Sequence, residues 1–244
     1  MRVVCMCIFI MCTATHHLHS IDKHESSRHN HIHRDTIDSV FIETTDHTCV
    51  VSVVTGPKYK QYAQRLINNK QNYCTEVGYK CHIFNNTLIA EKRPLAWQKV
   101  YAIQAVLHND RCKRLLWLDA DCIIMHPQKL PNTTRNIALT IDHNNINTGV
   151  MIIKNTAWSK TFFGRVSSTT RFDFHPWWEQ AAIIHFVETE ESVRQNVEYI
   201  KQNDVNSYDM KNAPFIYHSA GCAARFHEKV RPHCWSLWDD ALRK

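Results

Sequence analysis

Two aspartates separated by one residue stand inside an otherwise apolar run. Asp119 and Asp121 follow the apolar residues 115–118 and precede the apolar residues 122–125. Such a run is typical of a buried strand, where carboxylates without partners would be costly. A divalent cation at the strand end removes this cost, because Mg²⁺ and Mn²⁺ take carboxylate oxygens and leave positions for substrate phosphates. The pair therefore indicates a metal site for a phosphate-bearing ligand; a chance Asp-x-Asp in a turn is the alternative.

The elements before this pair alternate between strands and helices. The patterns predict strands over 49–55, 78–84 and 115–118, and helices over 59–72 and 94–107. This alternation predicts a parallel sheet with right-handed crossovers. Ligands of such sheets bind at the carboxyl ends of the strands, which is where the two aspartates stand.

The second half of the chain continues the α/β pattern. Residues 137–141 and 149–153 are strand-like and are separated by a polar segment, and residues 158–166 and 179–187 are helical in pattern. Residues 214–222 resemble a short strand that runs into a glycine turn. We therefore expect an α/β protein with a single, Rossmann-like, mostly parallel sheet flanked by helices.

The composition narrows the ways in which a nucleotide could be held. The chain has 244 residues and only five glycines, and neither GxGxxG nor GxxxxGK[ST] occurs. A bound nucleotide would therefore depend on a metal and on side chains. The formal charge of +6 suits an anionic ligand or a membrane surface, but no basic run interleaved with aromatics predicts nucleic-acid binding.

The N-terminal residues predict entry into the secretory pathway. Residues 1–15 contain Arg2 and a short apolar run, which fits either a signal peptide or a short signal anchor. Residues 16–47 are rich in histidine and polar residues, which indicates a polar stem or, alternatively, a transition-metal tract. We expect residues 48–244 to form one folded domain. We expect a protein of the secretory pathway, secreted if the leader is cleaved and membrane-associated if it is kept.

The cysteines agree with an oxidising compartment. Ten cysteines occur, and three of them lie in the leader, which leaves seven. Some of these should pair, and the odd number leaves at least one free or intermolecular. None lies in a CxxC motif, so no structural zinc site is predicted.

Six short motifs occur in a fixed order between residues 49 and 222. They are Asn69-Lys70-Gln71-Asn72-Tyr73 with Gly78-Tyr79, Arg93-Pro94 with Trp97 and Lys99, Trp117-Leu118-Asp119-Ala120-Asp121, Asn147-Thr148-Gly149-Val150, Trp178-Glu179-Gln180, and His218-Ser219-Ala220-Gly221-Cys222. This ordered set resembles glycosyltransferase family 34, the galactosyl/mannosyl/xylosyltransferase family. The resemblance implies a GT-A fold, retention of anomeric configuration, and a nucleotide-sugar donor with a glycan or glycoprotein acceptor. It also implies Mn²⁺ or Mg²⁺, with a UDP-sugar favoured and GDP-mannose as the alternative. A Golgi or ER lumenal setting is implied as well.

The resemblance assigns a metal site and catalytic residues. Asp119 and Asp121 correspond to the metal-binding pair and His218 to a third ligand, although a hydrogen-bonded core histidine is the alternative for His218. Gln180 corresponds to an amide near the anomeric carbon, beside Glu179, which could orient sugar hydroxyls or simply begin a helix. Asn147 would contact the sugar or the acceptor, or would belong to an Asn-Thr-Gly turn.

The remaining assignments concern the donor and the substrates. The residues expected to bind the donor, besides the aspartate pair, are Thr55, Gly56, Lys99, Gly221 and Arg225. Those expected to bind the sugar or the acceptor are Asp142, Trp177 and Trp178. The family commonly has a lysine after Gly-Cys, whereas Ala223 stands here and Arg225 is the substitute that we consider. This departure leaves a second hypothesis, a catalytically weakened carbohydrate-binding protein of the same fold.

Overall fold

The computed structural model describes residues 47–56, 59–88, 93–108, 111–221 and 231–243, without the side chains of 231–234. These residues belong to one compact unit, which spans 38–244. The predicted leader and nearly all of the predicted stem lie outside the described residues. Within the described ranges, no helix has the length and apolarity needed to cross a membrane.

Within the part of the chain that the structure describes, eight strands form two sheets. They are β1 (Thr48–Val53), β2 (Lys80–Phe84), β3 (Arg114–Leu118), β4 (Cys122–Ile124), β5 (Ile137–Asp142), β6 (Asn145–Lys154), β7 (Val197–Ile200) and β8 (Ile216–His218). The central sheet has the order β2-β1-β3-β6-β5-β7, and β4 pairs with β8 in a two-stranded sheet. Only β6 runs against the direction of the other central strands. The predicted α/β class with a mostly parallel sheet is confirmed.

The helices lie between these strands. They are α1 (Ala63–Val77), a 3-10 turn (Leu95–Trp97) that leads into α2 (Gln98–Leu107), α3 (Ala157–Ser168), α4 (Trp178–Thr189), α5 (Glu191–Arg194), α6 (Gln202–Val205) and α7 (Arg231–Ala241). Helix α1 ends at Gly78, whose left-handed conformation (φ 75°) suits glycine. The hydroxyl of Thr156 caps α3 by accepting from the Ser159 backbone N–H.

The polar connection between β5 and β6 is shorter than predicted and consists of His143 and Asn144. Strand β6 begins at Asn145, so Asn147 and Thr148 are buried strand residues rather than loop residues. Their polarity suggested exposure, but both side chains make hydrogen bonds inside the protein. Buried polar side chains are retained where such partners exist.

Among the described cysteines, two disulfides are formed. Cys49 at the start of β1 is bonded to Cys112, and Cys74 in α1 is bonded to Cys81 in β2. Among the cysteines that the structure describes, Cys122 is the free one, and it is buried. The pairing agrees with the expected oxidising compartment.

Candidate active site

The two aspartates lie at the carboxyl end of β3, as predicted. The backbone N–H of Asp119 donates to the Gly149 carbonyl at 2.8 Å, and the Trp117 indole N–H donates to Asp119 Oδ1 at 2.8 Å. Asp121 begins the connection to β4 and is buried. Because β1 and β3 are parallel neighbours, Thr55 and Gly56, which follow β1, belong to the same edge of the sheet.

His218 reaches Asp121 through the small second sheet. Strand β8 is antiparallel to β4, and His218 is paired with Cys122, the residue after Asp121. Its Nε2 lies 3.5 Å from Asp121 Oδ1, and its Nδ1 lies 2.8 Å from Asn206 Oδ1. The pairing of β4 with β8 therefore brings a carboxylate oxygen and an imidazole nitrogen together in a buried place, although Asp121 and His218 are 97 positions apart in the sequence.

The ring of His218 lies directly against the backbone of Gly149. A Cβ added at Gly149 would lie 2.1 Å from His218 Cε1, 2.7 Å from Nδ1 and 2.9 Å from Nε2. Such distances are far inside van der Waals contact. The glycine of the Asn147-Thr148-Gly149 motif is therefore required for space, not for its backbone conformation.

The possible metal ligands around Asp121 suit a hard divalent cation. Ligand atoms of Asp121, Cys122 and His218 all lie within 4.8 Å of one another. Burial raises the pKa of the Cys122 thiol well above its ordinary value, and this thiol donates to the Gly149 carbonyl at 3.4 Å. A protonated thiol is a poor ligand, so the carboxylate and the imidazole remain. This pair fits Mn²⁺ or Mg²⁺. The carboxylate of Asp119 is not part of this cluster and is held by Trp117 and Lys99 instead.

Lys99 joins Asp119 to Glu179. Its Nζ lies 3.0 Å from Asp119 Oδ1 and 2.8 Å from Glu179 Oε1, and it donates to Thr148 Oγ1 at 3.0 Å. Burial alone would lower the pKa of Lys99, but the charges of Asp119 and Glu179 raise it. The lysine is therefore a permanent cation between two carboxylates, not a solvated helix residue.

Glu179 is buried with half of its carboxylate unpaired. Oε1 accepts from Lys99, whereas Oε2 has no hydrogen-bond partner among the described residues. Burial raises the pKa of Glu179, more than the charge of Lys99 lowers it. A buried carboxylate oxygen without a donor is costly in a finished core and is typical of functional sites. This arrangement argues against a purely helix-starting role.

Gln180 and Asn147 are each anchored to the β6 strand. Gln180 Oε1 accepts from the backbone N–H and hydroxyl of Thr148, at 3.2 and 3.3 Å. Asn147 donates through Nδ2 to Asp142 Oδ2 and to the Tyr208 hydroxyl, at 3.0 and 2.8 Å. Its Oδ1 accepts from Gly149 N–H and from Asn206, at 2.8 and 3.0 Å. The Asn147 amide thus uses its full hydrogen-bonding capacity within the protein.

Asp142 is also occupied by neighbouring residues. Its Oδ2 accepts from the Tyr208 hydroxyl at 2.5 Å, and its Oδ1 accepts from the backbone N–H of Asn144 at 2.6 Å. Burial raises the pKa of Asp142, but these hydrogen bonds lower it below the ordinary value. The carboxylate therefore closes its own turn and fixes Tyr208 near the imidazole of His218, with ring centroids 5.8 Å apart.

The remaining predicted residues lie around this centre or outside the described part. Gly56 (φ 96°) and Gly221 (φ 79°) both have left-handed backbones at turns beside the sheet edge. Arg225 lies outside the described residues. Trp177 and Trp178 are 41% and 40% exposed and directly precede Glu179, and Phe174 is 98% exposed.

The aromatic loop (residues 172–178) is held at both ends. At its start, the Arg93 guanidinium donates to the Ser167 and Thr169 carbonyls at 2.7 Å and pairs with Asp173 at 2.6 Å. The same guanidinium lies 3.7 Å from the Trp97 ring centroid. At its end, the backbone N–H of Trp177 donates to His175 Nδ1 at 3.1 Å, and that of Trp178 donates to the His175 carbonyl at 3.0 Å. A fixed loop thus presents large aromatic side chains to solvent.

The Asn69-Lys70 motif makes hydrogen bonds to the backbone around residues 119–122, here called the aspartate loop. Lys70 is fully buried and donates to the carbonyls of Ala120 and Cys122 at 3.2 and 2.8 Å. The Asn69 amide pairs with both the N–H and the carbonyl of Ile124, at 2.9 and 3.0 Å. The motif therefore positions the residues that flank Asp121. Sequence reasoning found the motif but not this role.

Sequence reasoning also missed Asn206, Tyr208 and Tyr59. The ring of Tyr59 stacks on that of Trp238 in α7, with centroids 6.0 Å apart. Burial raises the pKa of Tyr59, and the charges of Asp121 and Asp119 raise it further. None of these residues belongs to a recognisable spacing pattern, because their roles depend on tertiary contacts.

Comparisons with known proteins identify the family of the chain. The model of the galactosyl transferase GMA12/MNN10 family matches residues 40–134 and 126–229. These matches cover most of the chain, so the chain belongs to this family and is a glycosyltransferase. No curated protein matches it.

Solved structures show the shared fold. A glycosyltransferase involved in the glycosylation of the major capsid of PBCV-1 is similar with a TM-score of 0.57 and 17% identity, over 71% of this chain and 95% of that one. The glycosyltransferase GlyE of Streptococcus pneumoniae TIGR4 is similar with a TM-score of 0.50 and 14% identity, over 82% of this chain and 63% of that one. The predicted GT-A fold is confirmed.

Proposed function

We propose that this glycosyltransferase is a retaining enzyme that depends on a divalent cation. It transfers a sugar of the galactose, mannose or xylose class from a nucleotide-diphosphate sugar to a glycan or glycoprotein acceptor. The observation that carries the proposal is the approach of Asp121 Oδ1 to His218 Nε2 within 3.5 Å, beside Asp119 at the ligand-binding edge of the sheet.

Asp119, Asp121 and His218 would hold Mn²⁺ or Mg²⁺, and the side-chain chemistry supports this set. A bound cation would offset the negative charge of the leaving nucleoside diphosphate. No glycine-rich phosphate loop occurs in the chain, so these ligands are the means by which the diphosphate would be held. We favour a UDP-sugar, with GDP-mannose as the alternative.

Glu179 and Gln180 would face the reacting sugar. Lys99 holds Glu179 Oε1, which leaves the unpaired Oε2 to accept a hydrogen bond from a sugar hydroxyl or to stabilise positive charge on the sugar. Thr148 fixes the Gln180 amide by two hydrogen bonds, so its orientation is set before substrate binds. Asn147, the neighbour of Thr148 in β6, would steady this strand through its hydrogen bond to Asp142 of β5.

The aromatic loop would bind the acceptor. Exposed aromatic side chains on a fixed loop provide contact area at low entropic cost, and Trp178 is adjacent to Glu179 in the chain. Thr55, Gly56 and Tyr59 would contact the nucleotide at the end of β1, and Gly221 and Arg225 would complete the donor site from the C-terminal side. Lys99 would act near the donor through its pairing with Asp119.

The secretory setting is part of the proposal. Residues 1–15 would be a signal peptide or anchor, residues 16–47 a stem, and residues 48–244 the catalytic domain. The two disulfides support folding in an oxidising lumen such as the ER or Golgi. An anchor that is kept would associate the enzyme with the membrane.

A donor screen tests the proposal. The full chain, produced in a secretory host, is incubated with UDP-galactose, UDP-glucose, UDP-xylose or GDP-mannose, with and without Mn²⁺, and release of nucleoside diphosphate is measured. We expect release from one donor that is lost with EDTA and in Asp121→Ala. Silence from all four donors in a folded protein that binds Mn²⁺ would favour the carbohydrate-binding alternative.

A further inference from the structure

A chain of buried hydrogen bonds links Gly149 to His218, and its direction can be assigned. The Gly149 backbone N–H can only donate, so the Asn147 atom 2.8 Å from it must be the amide oxygen Oδ1. The Asn147 Nδ2 then donates to Asp142 Oδ2 at 3.0 Å. The lowered pKa of Asp142 keeps that carboxylate ionised and therefore an acceptor. Only one orientation of the Asn147 amide satisfies both neighbours.

The orientation of Asn147 determines that of Asn206. Since Asn147 presents Oδ1, the Asn206 atom 3.0 Å away must be Nδ2, which also donates to Thr140 Oγ1 at 2.7 Å. The Asn206 Oδ1 therefore faces His218 Nδ1, at 2.8 Å. An amide oxygen only accepts, so His218 Nδ1 must carry a hydrogen. Asn206 is fully buried, and water does not compete for these bonds.

A neutral imidazole with its hydrogen on Nδ1 has its lone pair on Nε2. Nε2 is the His218 atom that faces Asp121. We propose that Asn206 is a positioning residue that fixes His218 as the Nδ1–H tautomer, so that the Nε2 lone pair is presented to a divalent cation beside Asp121. For the neutral ring the tautomer follows from the hydrogen bonds to Gly149, Asn147 and Asn206, whereas its use for a cation rests on the proposed function.

The effect of Asn206 is seen by considering the other tautomer of His218, which carries its hydrogen on Nε2. If no acceptor faced Nδ1, the ring hydrogen could move to Nε2 and be donated to the Asp121 carboxylate, 3.5 Å away. That hydrogen bond would occupy both expected ligands, and a cation would first have to displace it. Loss of a hydrogen-bond partner behind a metal-binding histidine typically lowers metal affinity by about 10- to 100-fold.

Nitrogen NMR of the metal-free protein tests the tautomer. Two-bond ¹H–¹⁵N correlation of histidine rings in the full chain distinguishes a protonated from an unprotonated ring nitrogen, at about pH 8.5, well above the ordinary histidine pKa. The His218 signals are assigned by their loss in His218→Gln. We expect the hydrogen on Nδ1 in the wild type and in Asn206→Asp, which retains the acceptor, and on Nε2 in Asn206→Leu.

The control and a second readout separate positioning from packing. Thr140→Val removes another hydrogen bond of the same Asn206 amide, and we expect it to leave the tautomer unchanged. Titration with Mn²⁺ should show an affinity about 10- to 100-fold lower in Asn206→Leu than in Thr140→Val. If Asn206→Leu does not fold, the wild-type spectrum and Asn206→Asp still decide the tautomer.

The outcomes are distinguishable from failure of the proposed function. Hydrogen on Nε2 in the wild type, or the same tautomer in the wild type and Asn206→Leu, overturns the inference whatever the chain does with metals. Hydrogen on Nδ1 in a wild-type protein that binds no Mn²⁺ supports the assigned tautomer and overturns the proposed cation site instead.

Discussion

Replacement of Gly149 by alanine should disable the site through one added methyl group. The added Cβ would lie 2.1 Å from His218 Cε1, whereas ordinary van der Waals contact begins at 3.4 Å. The His218 ring would therefore have to move away by about 1.3 Å. Such a retreat breaks the 2.8 Å hydrogen bond from Nδ1 to Asn206. Overpacking and a buried unpaired polar atom together cost about 2 kcal/mol or more.

Denaturant unfolding and Mn²⁺ titration measure the two consequences of this change. We expect Gly149→Ala to lower the free energy of unfolding by about 2 kcal/mol or more and to weaken Mn²⁺ binding at least about tenfold. Gly164→Ala in α3 is the matched control, because its nearest neighbour would be Gln104 Nε2 at 3.9 Å. An alanine in a helix is favoured over glycine, so this control should be neutral or stabilising. Equal effects in the two variants would refute the placement of His218. So would a Gly149→Ala variant that keeps the unfolding free energy and the Mn²⁺ affinity of the wild type.

Three further changes probe other parts of the site. Burial lowers the pKa of Lys70 to about 8, below its value of about 10.4 in an unfolded chain, so unfolding takes up a proton between these pH values. As the pH rises from about 8 to about 10.4, the free energy of unfolding of the wild type should therefore increase by roughly 3 kcal/mol relative to that of Lys70→Met. If the unfolding free energies of the two proteins change with pH in the same way, the burial of this cation is contradicted. Glu179→Gln should keep or raise the melting temperature, because Oε2 is already unpaired. The same variant should reduce the rate of sugar transfer by about 100-fold, and an unchanged rate would show that Glu179 takes no part in the reaction. Trp177→Ala should raise the KM for acceptor severalfold and leave metal-dependent donor hydrolysis unchanged, and a loss of donor hydrolysis would place Trp177 on the donor side instead.

The sheet and the location of the site were predictable because they depend on local pattern. The apolar run around Asp119 and Asp121 determined a strand end, and the alternation of strands and helices determined the parallel arrangement. His218 was identified only through a family resemblance, because no spacing relates it to residues almost a hundred positions earlier.

The rest of the site depends on tertiary contacts that local patterns do not encode. Asn147 and Thr148 were expected in a loop because polar residues usually are, yet both are buried. Asn147 bonds to Asp142 of β5, and Thr148 bonds to Lys99 of α2. Lys70 is fully buried, which is rare for lysine, because two carbonyls of the aspartate loop accept from it. Asn206 acts on a histidine 12 residues away through a contact that folding creates.

The central claim is that Asp121 and His218 hold a divalent cation. Electron paramagnetic resonance of free Mn²⁺ measures its binding by the full-length wild type, by Asp121→Asn and by Asp204→Asn, an exposed aspartate of α6. We predict one saturable site in the wild type and in Asp204→Asn that weakens at least about tenfold in Asp121→Asn. Folded wild type without saturable binding, or with binding that Asp121→Asn leaves intact, would contradict the account.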